Sequence, residues 1–171
     1  EKGTNRARFF RGQVDKYTWV DLGSSYVMSD VLAAFLYAQL ESWRSIQERR
    51  RAIWERYHAA LADWAQSQDI RQPVVPAHCE QAWHMYYLLL PSLAARTELI
   101  AHLKARGILA VFHYLPLHLS EYARRWGGRP GDCPVTEKVS DQLLRLPFFN
   151  SMTPDVQDRV IAALLEFRCP A

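Results

Sequence analysis

The chain is predicted to be an α+β protein, with a small sheet of short strands and helices interleaved along the sequence. Three observations carry that expectation. Two apolar runs, Ala82 to Leu90 and Ile108 to Tyr114, are closed by Pro91 and by Pro116, and proline cannot donate to a sheet ladder. Between and around them, apolar residues recur at spacings of three, four and seven, the period of a helix with one buried face. No internal repeat is visible, which sets aside a solenoid or a propeller.

Taken in order, Glu1 to Asp15 shows little periodicity, and Arg6, Arg8 and Arg11 surround Phe9, Phe10 and Gly12. This reads as a basic loop, either solvated or meeting an anionic substrate. Lys16 to Leu40 reads as an aromatic extended segment, a small-residue turn at Gly23, Ser24 and Ser25, and then a helix capped by Ser29 and Asp30. Free N–H groups and the positive dipole end at such a junction suit a phosphate, although a plain helix start has the same local pattern. The helix is apolar almost all round, at Val31, Leu32, Ala34, Phe35, Leu36, Ala38 and Leu40, so burial on most sides is expected.

After Glu41 the pattern turns amphipathic. Trp43, Ile46, Ile53, Tyr57, Leu61 and Trp64 share one face, and Arg44, Glu48, Arg49, Arg51, Glu55 and Arg56 the other. A long helix from Ser29 to Ala65, bent near Leu40 to Ser42, is expected. Pro73 and Pro76 mark a linker. Arg96 to Arg106 reads as a helix closed by Gly107, whose left-handed backbone suits that place. Leu117 to Trp126 is expected to hold a short helical stretch and Gly127 to Pro134 a turn-rich loop. Val135 to Leu144 is expected as a helix, and Leu146 to Phe149 as a third strand. A last helix starts with Thr153 as its cap and Pro154 at its first position, and buries Val156, Val160, Ile161, Ala163, Leu164 and Phe167.

Composition narrows the function classes. The 171 residues carry a net charge of +3 and are 49% hydrophobic, enough for a real core but too weakly basic to require nucleic acid or an anionic membrane. The arginines at 44, 49, 50, 51 and 56 read as a solvated face. The three cysteines, Cys79, Cys133 and Cys169, are far apart and odd in number, so a disulfide framework and a CxxC metal clip are both excluded and a reducing, cytoplasmic setting fits. No apolar run reaches the ~20 residues of a membrane helix.

Two histidines and a tyrosine close together, in His113-Tyr114-Leu115-Pro116-Leu117-His118, could carry protons or donate hydrogen bonds at a strand end. Each of the two also has a plain reading as a core or rim histidine. As a metal site the segment is poor, because no cysteine or carboxylate supports it at a ligand spacing.

The run Lys2 to Leu40, with FHYLPLH at Phe112 to His118 and LLRLPFF at Leu143 to Phe149, closely resembles the sugar-nucleotide aminotransferases of fold type I. The likeness is greatest to those that aminate dTDP-4-keto-6-deoxyglucose to dTDP-4-amino-4,6-dideoxygalactose for enterobacterial common antigen. That resemblance implies a remnant of the large domain with a dimer-crossing loop at residues 1–28, a long interdomain helix at 29–72 and a small C-terminal α+β domain with an antiparallel sheet at 73–171. It implies pyridoxal 5'-phosphate (PLP) as the cofactor of a cytoplasmic homodimeric parent, with glutamate and the dTDP-sugar as substrates. Lys16 and Tyr17 match a pair whose lysine reaches across the dimer toward the nucleotide sugar, though a surface lysine is the competing reading. His113, Tyr114 and His118 face the sugar-nucleotide pocket in such relatives. Ser24 and Ser25 occupy the turn where many relatives carry Gly-x-Asn for the cofactor phosphate, and hydroxyls can also donate to phosphate.

The lysine that forms the Schiff base with PLP belongs to an N-terminal portion upstream of this sequence in the resembling enzymes. Of the lysines here, Lys2, Lys16, Lys104 and Lys138, none stands in that motif. The chain therefore reads as a C-terminal piece that has lost its native start, binds no PLP by itself and is inactive alone. A different class, a non-catalytic module that keeps a nucleotide-sugar pocket, is the alternative.

Overall fold

A computed structural model describes residues 4–13, 20–24, 26 and 28–170, the Arg6 side chain excepted. The expectations for Lys16, Tyr17 and Ser25 lie outside the described residues. The chain divides into two compact units, Glu1–Trp43 and Arg44–Ala171.

In the first unit the stretch expected as a loop holds one short helix, α1 (Arg6–Phe10). The helix α2 (Asp30–Glu41) begins where its cap predicts, and Ser29 Oγ accepts from Leu32 N–H at 3.4 Å. The burial that so apolar a helix calls for is not supplied within this unit. No residue of α2 is buried, and Val31, Phe35 and Tyr37 are each more than three-fifths exposed.

The single long helix is also corrected: α2 stops at Ser42, and α3 (Trp43–Ala60) and α4 (Ala62–Ser67) follow, separated at Leu61. Ser42 caps α2 through its own N–H to the carbonyls of Gln39 and Leu40. These tightened backbone bonds close the last turn of α2.

The second unit is built on a three-stranded antiparallel sheet in the order β1 (Tyr87–Leu89), β3 (Leu143–Arg145), β2 (Val111–Phe112). Leu144 faces Leu88 on one side and Phe112 on the other. The third strand therefore precedes the place expected for it, and the helix read through Leu144 ends earlier, as α7 (Pro134–Gln142). Leu143 and Leu144 fit either an apolar helix face or a central strand, and periodicity over so short a run cannot separate the two. The other two strands are shorter than their apolar runs, since Ala82 to Tyr86, Ile108 to Ala110, and His113 and Tyr114 lie outside the ladder.

Around the sheet pack α5 (Leu93–Ala105), α7 and α8 (Pro154–Leu165), with α5 in contact with both of the others. Gly107 follows α5 with φ +71°, the left-handed conformation that closes a helix at least cost in glycine. Thr153 caps α8, its Oγ1 accepting from Val156 N–H at 3.4 Å. The inner face of α8 is as expected except for Val156, which is 37% exposed while Gln157 is buried in its place. Gln157 can be there because its Nε2 donates to the Ile53 carbonyl at 2.7 Å, so a buried amide keeps a partner.

One contiguous core joins Ile53, Tyr57, Leu61, Leu88, Leu99, Leu144 and Leu164, all buried. Its polar atoms are paired: Tyr57 OH donates to the Pro147 carbonyl at 3.0 Å, and Trp64 Nε1 to the Phe167 carbonyl at 3.1 Å. Burial raises the Tyr57 and Tyr86 phenols above the ordinary tyrosine range, so both remain neutral donors or acceptors. Among the described residues no helix is long and apolar enough to cross a membrane.

Candidate functional site

Chain leaving β2 runs through His113 and Tyr114 into Pro116, a 3-10 turn (Leu117–Leu119) and the short helix α6 (Glu121–Arg124). Proline makes this inevitable, because Pro116 has no N–H for a ladder and its φ of −58° starts the turn instead. Ser120 Oγ then caps α6, accepting from Ala123 N–H at 3.2 Å.

The loop is pinned at both ends. Ser140 Oγ on α7 donates to the Tyr114 carbonyl at 3.3 Å, and the Arg96 guanidinium lies 5.4 Å from the centre of the Phe112 ring. At the far end His118 Nε2 is 2.8 Å from Glu137 Oε1, in a half-buried pair. That same carboxylate oxygen accepts from Gly131 N–H at 2.8 Å and from Cys133 N–H at 3.4 Å. The hydrogen bond from His118, seconded by the one from Gly131, holds the Glu137 carboxyl below the usual glutamate range. One carboxylate thus ties the histidine loop, the Gly-rich turn and the start of α7 together.

Beside this clasp lies a hollow of about 390 Å³, lined by Leu115, Leu117, Ser120, Arg124, Glu137 and Asp141 among others. It combines apolar wall, a hydroxyl, a guanidinium and two carboxylates. Such a set can hold a polar ring by hydrogen bonds, with Arg124, among the described residues, the one cation there that can meet an anionic group.

His113, Tyr114 and His118 fall on this one segment but not in one arrangement. The His113 and Tyr114 rings meet edge to face at 5.2 Å, and His113 Nδ1 is shut from solvent without a hydrogen-bond partner. Tyr114 is 81% exposed, whereas His118 is engaged with Glu137. Ser24 is exposed in the first unit.

Glu137 and Gly128 were not legible as site residues. Glu137 looks like any acidic residue in the first turn of a helix. Gly128 sits so close to the His118 carbonyl that a Cβ there would overlap it, and it also approaches the Ala123 carbonyl. The Gly127-Gly128 pair was the available signal.

The fit of PLP to these residues can be tested directly. Among the described residues the lysines are Lys104 and Lys138, both exposed, and neither lines a hollow. Neither described lysine is placed in these two hollows to bond the cofactor's aldehyde, and no step through the cofactor is assigned to the described residues.

A family model matches residues 2–165 and is that of the DegT/DnrJ/EryC1/StrS aminotransferase family. The chain belongs to this family. Its members are PLP-dependent sugar aminotransferases of fold type I. An uncharacterized protein of Methanocaldococcus jannaschii is 30% identical over 143 residues, which are 81% of this chain and 36% of that protein.

Among solved structures, a DegT/DnrJ/EryC1/StrS aminotransferase of Brucella abortus is 30% identical, with a TM-score of 0.73 over 93% of this chain and 41% of its own. DesV of S. venezuelae, solved in complex with a ketimine intermediate, is 29% identical, with a TM-score of 0.78 over 94% of this chain and 43% of its own. The α+β aminotransferase fold expected from the sequence is the fold found. This family member spans about two-fifths of the length of these relatives.

Proposed function

We propose that this chain is the C-terminal, sugar-nucleotide-binding part of a PLP-dependent aminotransferase that moves the amino group of glutamate onto dTDP-4-keto-6-deoxyglucose, giving dTDP-4-amino-4,6-dideoxygalactose. The observation that carries the reading is the match of nearly the whole chain to the family and to two solved members more than twice as long. When bound, PLP supplies the electron sink for the amino transfer. In this reading its lysine partner comes from the remaining portion of the enzyme.

The residues of this chain bind and orient. His113, Tyr114 and His118 line the approach of the sugar, with His118 held by Glu137 so that its ring is fixed before the ligand arrives. Arg124, at the edge of the hollow, meets the diphosphate. Lys16 and Tyr17 reach the nucleotide sugar of the neighbouring subunit in a cytoplasmic homodimer, and Ser24 and Ser25 donate to the cofactor phosphate. The clasped hollow, formed wholly within residues 44–171, also favours a second reading, a binding module without catalysis.

The test is to supply the purified chain with PLP, glutamate and dTDP-4-keto-6-deoxyglucose, and separately to titrate it calorimetrically with the dTDP-sugar. The expected outcome is no amino sugar, with sugar-nucleotide binding that His118→Ala weakens. The parent gene product is expected to turn over. Amino sugar formed by the chain alone would overturn the division of labour, and a parent gene product without transaminase activity would leave only the binding module.

A further inference from the structure

A second hollow shares no lining residue with the one beside His118. It measures about 740 Å³ and is walled by Trp54, Trp83 and Tyr87, with Arg71, Gln72 and Gln81 supplying polar groups. Its aromatic wall is a built assembly. Trp54 stacks on His58 at 4.7 Å and meets the edge of Trp83 at 5.1 Å, and the Arg51 guanidinium lies 5.7 Å from the Trp83 ring centre.

Two features of this wall cost stability. Trp83 has φ +49°, a left-handed backbone that bulky residues avoid and that persists chiefly at ligand clamps and similar sites. Gln81 Nε2 is shut from solvent with no hydrogen-bond partner. Gln81 lines the hollow, so that amide is a donor left over for an acceptor bound there. Arg71, by contrast, is fixed at the backbone by reciprocal hydrogen bonds with Leu89 at 3.0 and 2.9 Å, while its exposed guanidinium has one long contact, 3.4 Å to Gln142 Oε1. Its charge is available to a ligand. Gln72 is occupied, donating to Tyr86 OH at 2.8 Å and to the His58 carbonyl at 2.9 Å, and so stiffens the floor.

We infer that this hollow binds a flat aromatic ring carrying an oxyanion, the ring against Trp83 and Tyr87 with buried Trp54 backing them, the oxyanion on Arg71 and a ring or oxyanion acceptor on the Gln81 amide. Indole faces favour a flat π-system, and a guanidinium favours carboxylate or phosphate. A pyrimidine nucleotide and an aryl carboxylate share this chemistry. The inference goes beyond the proposed transamination and does not rest on it.

Thymidine 5'-monophosphate and 4-hydroxybenzoate are the probes, titrated into the chain while tryptophan fluorescence is followed, with thymidine as the uncharged control. Saturable quenching by at least one probe is expected, and which of them binds identifies the source. Arg71→Gln and Trp83→Leu are each expected to weaken binding about tenfold. Gln81→Leu is expected to weaken it while raising the melting temperature of the free protein, a pairing that a merely structural amide would not produce. His118→Ala leaves it unchanged. Absence of saturable quenching by both probes, thymidine binding as tightly as its monophosphate, or loss of binding in His118→Ala with retention in Arg71→Gln would each overturn the inference.

Discussion

Helix α2 and helix α8 are equal in length, both capped by a hydroxyl side chain, and opposite in fate. α8 alternates buried and polar positions and places Val160, Ile161 and Leu164 in the core, with Gln157 bonded to the backbone of α3. α2 is apolar on nearly every side and buries nothing. A hydroxyl cap starts either helix, and only the pattern of polar residues says how much of its surface a neighbour in the same unit covers. Where polar residues are nearly missing, as along Val31 to Leu40, the sequence specifies more burial than its own unit supplies. The excess is a demand for a partner.

This contrast can be broken or sharpened by substitution. The largest effect is expected inside the second unit: Leu144→Ala, at the centre of the sheet and wholly buried, should cost about 2–5 kcal/mol in denaturant unfolding. The matching change on α2, Leu32→Ala, should stay within about 0.5 kcal/mol. Equal costs would mean that α2 is packed after all. Next comes the cap of α8, where Thr153→Ala should lower stability by about 1 kcal/mol.

A more local effect is expected at the clasp. Gly128→Ala forces the His118 backbone carbonyl to move, so weaker binding of the dTDP-sugar together with a lowered melting temperature is expected. For Glu137 the sign follows from its lowered carboxyl: the contribution to stability is complete above the unfolded glutamate range and is lost as pH falls through the folded value. Glu137→Gln should therefore flatten the acid limb of the stability profile and leave its neutral and alkaline parts parallel to the parent. A profile unchanged at acid pH would remove the clasp. Smallest in folding energy but visible in sedimentation, serine at Phe35 and Leu36 should reduce self-association of the chain at high concentration. A parent chain that is strictly monomeric under those conditions would sink the demand for a partner.

Much of the second unit could be read in advance because its signals are local: Gly107 closing α5, and Thr153 with Pro154 opening α8. What misled were residues whose fate depends on distant neighbours. Leu143 and Leu144 became the middle strand because β1 and β2 lie on either side of them, which no window of sequence contains. Ser42 divided a helix that apolar spacing would have continued. At the candidate site, the grouping of His113, Tyr114 and His118 in the sequence points to one loop, whereas Glu137 and Gly128 meet it through contacts made only once the loop has folded back. Lys16, Tyr17 and Ser25 keep the roles implied by resemblance and lie outside the described residues.

Under the proposed function an enzyme's work is divided, with this chain recognising the sugar nucleotide and the amine that bonds to PLP coming from elsewhere. The most direct measurement is to incubate the chain with PLP, reduce with borohydride and map the product by mass spectrometry. Scattered substoichiometric labelling of Lys2, Lys16, Lys104 and Lys138 is the expected result. Stoichiometric adduct on any single one of these lysines would contradict it.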